Sequence, residues 1–157
     1  MKQVQLNIVY VLMFQAGCME ALGMESGAIP NAKVVASSMW DSNHAPGQGR
    51  LNFHETTKYS GAWAAKTNDA NQWLQIDLPS SFTKVTRVAT QGRNQNAQWP
   101  WGTHHQWVTK YKLMYSVDGS NFQFYEEQGQ ANAKVDISYF TKLRRSHQNI
   151  TRLSTKQ

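Results

Sequence analysis

A single cysteine, Cys18, is all that this 157-residue chain contains. A disulfide framework within the chain is therefore excluded, and so is a thiolate metal cage. In an oxidising compartment Cys18 is expected to be unpaired within the chain and open to intermolecular disulfides. In a reducing one it is a small buried apolar residue. Charged residues are also sparse, at 17%. No internal repeat, low-complexity linker or long helical period is present. No apolar run is long enough to span a bilayer as a helix.

Catalytic patterns are missing as well. The chain has no nucleophile elbow, phosphate-cradling glycine loop or paired-carboxylate motif. His44 and His54 are isolated. His104 and His105 are adjacent rather than spaced as a helical zinc pair, and no cysteine or carboxylate cluster accompanies them. Asp41 and Asn43 offer two oxygens toward calcium, far short of the usual six to eight ligands. An enzyme is not expected, and no cofactor is implied.

The net charge of +6 and pI near 9.6 suggest nucleic acid, but the charge is unevenly placed. Lys142, Arg144, Arg145, Arg152 and Lys156 crowd residues 142–157, where there is no acid. Without those five, eleven basic residues face ten acidic ones. The body is close to neutral and offers no basic stripe for a phosphate backbone.

What is abundant is aromatic: six Trp, six Tyr and six Phe. With so few charges, this composition predicts a packed globular domain. Its length suits one domain with a real core. From Ala21 to Phe140 the pattern is of short strands. Leu74, Ile76 and Leu78 alternate with Gln75 and Asp77. Val85 to Gln91 is rich in β-branched residues and is stopped by Gly92. Lys33 to Ala36 forms a further candidate strand. From Trp107 to Ser116 the pattern places Thr109, Tyr111, Leu113 and Tyr115 on one face, with Val108, Lys110, Lys112 and Met114 on the other. Asp118-Gly119 then predicts a hairpin turn, because glycine accepts the positive φ that such turns need. These features give an all-β fold, an antiparallel sandwich or jelly roll.

At the N-terminus an apolar stretch from Leu6 to Phe14, broken only by Asn7, precedes Gln15-Ala16-Gly17. It reads as a signal peptide over residues 1–17, cut after Gly17, or else as a buried strand.

Three stretches between strands are long and carry large side chains: Met39 to Gly49, Lys58 to Asn71 and Arg93 to Gln106. Long loops in a compact domain are usually functional. Trp99 and Trp101 flank Pro100, a pattern foreign to core strands, which makes them candidate contact residues.

Several blocks, taken together and in order, resemble discoidin domains, the coagulation factor V/VIII C-type family. They are Leu22 to Pro30, Ala36-Ser37-Ser38, Gly49-Arg50-Leu51-Asn52, Gly61-Ala62-Trp63, Trp73 to Leu78, Val85 to Arg93, and Trp107 to Leu113 with Asp118-Gly119. The likeness covers about residues 18–136. It implies an eight-stranded, galactose-binding-like jelly-roll sandwich on a secreted or membrane-attached protein, non-catalytic and binding through loops at one end. The implied ligands are anionic phospholipid, glycan, or a protein such as collagen or another matrix component, and the implied role is cell adhesion.

On this resemblance Met39 and Trp40 sit where some relatives carry membrane-inserting residues. Lys58, Tyr59 and Lys66 join them as candidate ligand-loop residues. Trp63 is also a candidate, although its block is shared by relatives with different ligands, which favours packing at the loop base. Arg50 and Arg93 are expected to hold loops through hydrogen bonds. Relatives close the fold with further strands and a last cysteine bridged to the first. Here likeness fades after Asp136, so the expectation is a sandwich lacking its last strands, with residues 137–157 as a basic tail and Cys18 without its partner. Asn149-Ile150-Thr151 fits a glycosylation sequon within that tail.

Overall fold

The computed structural model describes residues 5–8, 12–13, 20–78, 85, 87–93, 106–108, 110–125, 135–136, 141–142 and 152–155. Its strands are β1 (Gln5–Ile8), β2 (Leu12–Met13), β3 (Glu20–Ala21), β4 (Val34–Ala36), β5 (Trp63–Ala64), β6 (Trp73–Ile76) and β7 (Arg87–Val88). They continue with β8 (Thr90–Gln91), β9 (Lys110–Tyr115), β10 (Gln123–Phe124), β11 (Val135–Asp136), β12 (Thr141–Lys142) and β13 (Arg152–Thr155). The helical elements among the described residues are short 3-10 turns at Asn31–Lys33, Ser42–His44 and Pro46–Gln48. The sheet pairings described are antiparallel, as the short alternating segments predict.

The principal sheet has six strands in the order β10-β9-β13-β6-β4, with β11 also on β9. A second sheet runs β12-β7-β2-β3, and a third β5-β1-β8. The inward faces of β6 and β9 supply the centre of the core. Leu74 and Ile76 from β6, and Tyr111 and Leu113 from β9, are buried with Val34, Val85, Val88, Met24, Ile29 and Trp63. Leu78 and Tyr115 pack partly against this cluster. Burying each large apolar side chain stabilises the fold by about 1.5–3 kcal/mol before entropy is counted. On the other face of β6, Gln75 donates to the Asp77 carboxylate at 3.0 Å. The alternation read over both strands is therefore the one that packs.

The alternation does not extend back to Trp107. Val108 is buried in the core cluster, whereas the period-two pattern places it outside with Lys112. Trp107, in phase with Tyr111 and Leu113, is 53% exposed. The cause is local: β9 begins only at Lys110, and residues 106–108 are not in a strand, so the two-residue period has nothing to carry it there.

Beyond residue 137, where the sequence predicts no part of the sandwich, the backbone of β12 and β13 joins the sheets. β13 lies between β9 and β6, with Leu153 opposite both Leu113 and Leu74. The basic composition of this segment hid the apolar Leu153 and also Thr155, the latter a residue type that suits a strand. In the N-terminal apolar stretch the backbone is also extended, with β1 pairing β5 and β8.

Strand direction gathers the long loops. Ala36 at the end of β4 pairs Leu74, and the Ser37 N–H donates to the Trp73 carbonyl at 3.0 Å. The end of β4 and the start of β6 are thus side by side. Through β13, whose Ser154 faces both Trp73 and Lys112, the start of β9 lies level with the start of β6. The segments after β4, before β6 and before β9 all meet the principal sheet at this one end. The turn after β9 lies at the other.

Candidate functional site

The loop end is built from residues 37–49 and 58–72, held together mainly by backbone and buried polar groups. Asp41 caps the turn Ser42–His44 by accepting the Asn43 N–H at 2.8 Å, and its Oδ1 lies 2.7 Å from His44 Nδ1. That contact with His44, helped by backbone N–H groups, holds the Asp41 carboxyl below the usual range for an aspartate. The Ser60 N–H donates to the Asn43 carbonyl at 3.0 Å and to Gln48 Oε1 at 3.2 Å, while Gln48 Nε2 reaches the Ser42 carbonyl at 3.3 Å. Gln48 and Ser60 are both buried, where unmet polar groups are costly, so these bonds fix one loop against the other.

Gln72 plays the same part nearer the sheet. It is buried at the start of β6, and its Oε1 accepts from Ser37 Oγ at 2.8 Å and Ser38 Oγ at 2.6 Å. Its Nε2 donates to Thr67 Oγ1 at 2.9 Å and Asp69 Oδ1 at 3.0 Å. One side chain therefore ties together the end of β4 and the loop that leads into β6.

On this frame Met39 and Trp40 stand 46% and 49% exposed. The Trp40 N–H donates to the Ala64 carbonyl at 2.8 Å, so its backbone is held while its side chain meets solvent. Lys66 is exposed, and its amide donates to Ser38 Oγ at 3.0 Å, which places this cation on the segment fastened to the Met39–Trp40 turn. Lys58 and Tyr59 are exposed too. The Lys58 ammonium lies 5.3 Å from the Tyr59 ring centroid, and that ring is 6.2 Å from Phe53.

Trp63 must be withdrawn from the contact set. Its side chain is fully buried, and its indole N–H donates to the Ser38 carbonyl at 2.8 Å. It packs the loop base, the role that its shared sequence block favours. Trp99, Trp101 and Cys18 lie outside the described residues.

The two arginines hold loops as expected. Arg50 is buried and donates to the carbonyls of Met24 at 2.6 Å and Ile29 at 2.7 Å, and to Asn31 Oδ1 at 2.6 and 3.2 Å. Burial pushes its pKa down from the ordinary arginine value. Arg93 closes the base of the third loop. Its N–H donates to the Gln106 carbonyl at 2.9 Å, and its guanidinium to Gln106 Oε1 at 3.0 Å and Glu55 Oε1 at 2.9 Å.

Trp107, exposed beside that base, was hidden by the predicted alternation. The polar run from Gly102 to Gln106 before it was the available signal that the strand had not yet begun. Among the described residues no group of three or more His, Cys, Asp and Glu side chains is placed to hold a metal. Among them, too, no helix is long and apolar enough to cross a membrane.

Among the described residues the arrangement is an antiparallel all-β domain whose first two long loops, fastened from beneath, present aromatic, apolar and cationic side chains. The F5/8 type C domain model matches residues 33–146. The chain belongs to this family, the discoidin domains, whose fold is a β-sandwich. It is 35% identical over 123 residues to lactadherin of Sus scrofa, an alignment covering 76% of this chain and 28% of lactadherin. It is 39% identical over 112 residues to coagulation factor V of Pseudonaja textilis, covering 69% and 7%. To the human EGF-like repeat and discoidin I-like domain-containing protein 3 it is 36% identical over 132 residues, covering 76% and 24%. The chain thus spans less than a third of the length of these curated relatives.

Proposed function

We propose that this chain is a non-catalytic, extracellular adhesion module that attaches peripherally to anionic phospholipid on cell surfaces through its loop end. The observation that carries this reading is the Met39–Trp40 pair, about half exposed on a turn whose backbone is fixed. Exposed apolar side chains on an otherwise well-fastened loop suggest a partner that buries them. Tryptophan suits a bilayer interface, because its ring is largely apolar while its N–H bonds head-group oxygens. Burial contributes about 25 cal/mol per Å² of apolar surface. Lys58 and Lys66 would each add about 1 kcal/mol near an anionic surface. Trp99 and Trp101 belong to the same reading as further contacts of the third loop. The near-neutral body lacks the basic stripe that nucleic acid needs, whereas apolar insertion does not depend on one.

The family resemblance also supports the jelly-roll strand order, secretion, and residues 1–17 as a cleaved signal. For the signal, the intact mass of protein secreted by expressing cells should begin at Cys18. A mass that begins at Met1 would instead keep β1 as a permanent strand.

Liposome co-sedimentation tests the binding reading. Vesicles of phosphatidylserine and phosphatidylcholine should retain the wild-type chain, and phosphatidylcholine alone should retain much less. Trp40→Ala should weaken binding about tenfold, as expected for losing a partly inserted indole. High salt should weaken binding only in part. If no vesicle retains the chain and a glycan array or collagen does, the tip reads a sugar or a matrix protein instead.

A further inference from the structure

The pattern that fails at Trp107 leaves an exposed indole at the loop end. Trp107 lies just ahead of β9, whose start is level with the start of β6 and hence with the Ser37–Trp40 segment. Its surroundings are rigid. Val108 next to it is buried in the core. Gln106 before it is held twice by Arg93, which Glu55 holds in turn. Gly92 packs so near that a Cβ there would stand 3.1 Å from the Trp107 Cβ and from the Gln106 carbonyl oxygen. A large apolar side chain is thus 53% exposed on a seat that cannot readily turn it inward.

We propose that Trp107 is a further lipid-contact residue of the tip, placing its indole at the head-group level of the same anionic phospholipid bilayer. This rests on the lipid reading above and adds to it a site of contact away from the first two loops. The indole carries no charge, so long-range attraction does not steer it, and it contributes only once the chain is on the surface. It therefore acts on release more than on encounter. Its fixed backbone also means that little freedom is lost on contact, so the burial is realised as affinity.

The test uses the full chain and phosphatidylserine/phosphatidylcholine vesicles with bromine on the acyl chains near the head groups. Bromine quenches tryptophans that reach that depth. Trp107→Phe should quench by a smaller fraction than wild type and keep an unchanged melting midpoint. Trp107→Ala should leave the association rate within about twofold and raise the dissociation rate about five- to tenfold, the scale expected for burying part of one indole. Equal quenching of wild type and Trp107→Phe, with equal dissociation rates for Trp107→Ala, overturns the assignment of Trp107 while leaving the lipid reading intact. Failure of the wild type to bind these vesicles at all overturns both.

Discussion

The indole N–H of Trp63, from a fully buried ring, donates to the Ser38 carbonyl at 2.8 Å, immediately before the exposed Met39 and Trp40. A core side chain therefore fixes the point from which the tip projects. Trp63→Phe keeps most of the packing and loses the bond, and should cost about 1–2 kcal/mol in a denaturant titration. Trp63→Ala should cost about 3–5 kcal/mol. Retained vesicle binding by a folded Trp63→Phe would show that the bond steadies the fold without shaping the tip.

Arg50 offers a second measurement. Its planar guanidinium reaches two backbone carbonyls and the Asn31 amide oxygen from separate nitrogens, a spread that the single nitrogen of an ammonium does not match. Arg50→Lys should lose about 2–4 kcal/mol, read as a lower denaturation midpoint, because buried carbonyls are left unmet. A loss within experimental error would mean that the Met24–Asn31 segment finds other donors.

Asp118 governs the turn at the far end of the sheet. Its carboxylate accepts the N–H groups of Ser120 and Asn121 at 2.8 Å each, the Ser116 hydroxyl at 2.7 Å and the Asn121 side-chain amide at 2.6 Å. These bonds, the backbone ones foremost, hold its pKa far below the ordinary aspartate value. A folded-state value that is lowered adds stability above the unfolded value, and that stability is lost as pH falls toward the folded value. The wild type should therefore melt above Asp118→Asn at pH 6, and the gap should shrink below about pH 4, where the unfolded carboxyl begins to protonate. A gap that stays constant from pH 6 to pH 2 would refute the charge-dependent role.

Strands whose alternation continues through the hydrogen-bonded ladder were legible in the sequence. Leu74 and Ile76 on β6, and Tyr111 and Leu113 on β9, needed nothing beyond the two-residue period. Gly119 takes the positive φ of +74° that the Asp118-Gly119 pair predicts. The loop it serves, residues 116–122, is nevertheless wider than a tight hairpin, since β9 and β10 pair only up to Tyr115 and Gln123. Side-chain bonds from Ser116 and Asp118 organise that width, and no local period encodes them. The exposure of Trp107 was illegible for a related reason: whether a residue before a strand keeps the strand's phase depends on the partner that the chain meets there. Met39 and Trp40 were marked by the family resemblance together with their place in a long loop. The tie between Ser38 and Gln72 joins residues distant in the chain, and only the fold brings them together.

Gln72, Gln48 and Ser60 fasten the loops from within, whereas the side chains of Met39, Trp40 and Lys66 stand outside that network. The proposed contact positions and the positions that hold the loops are thus separate. A library randomised only at the outward positions should yield folded variants at high frequency, and selection could redirect the tip to new targets. Randomising the inner three should yield few soluble members, whatever the target.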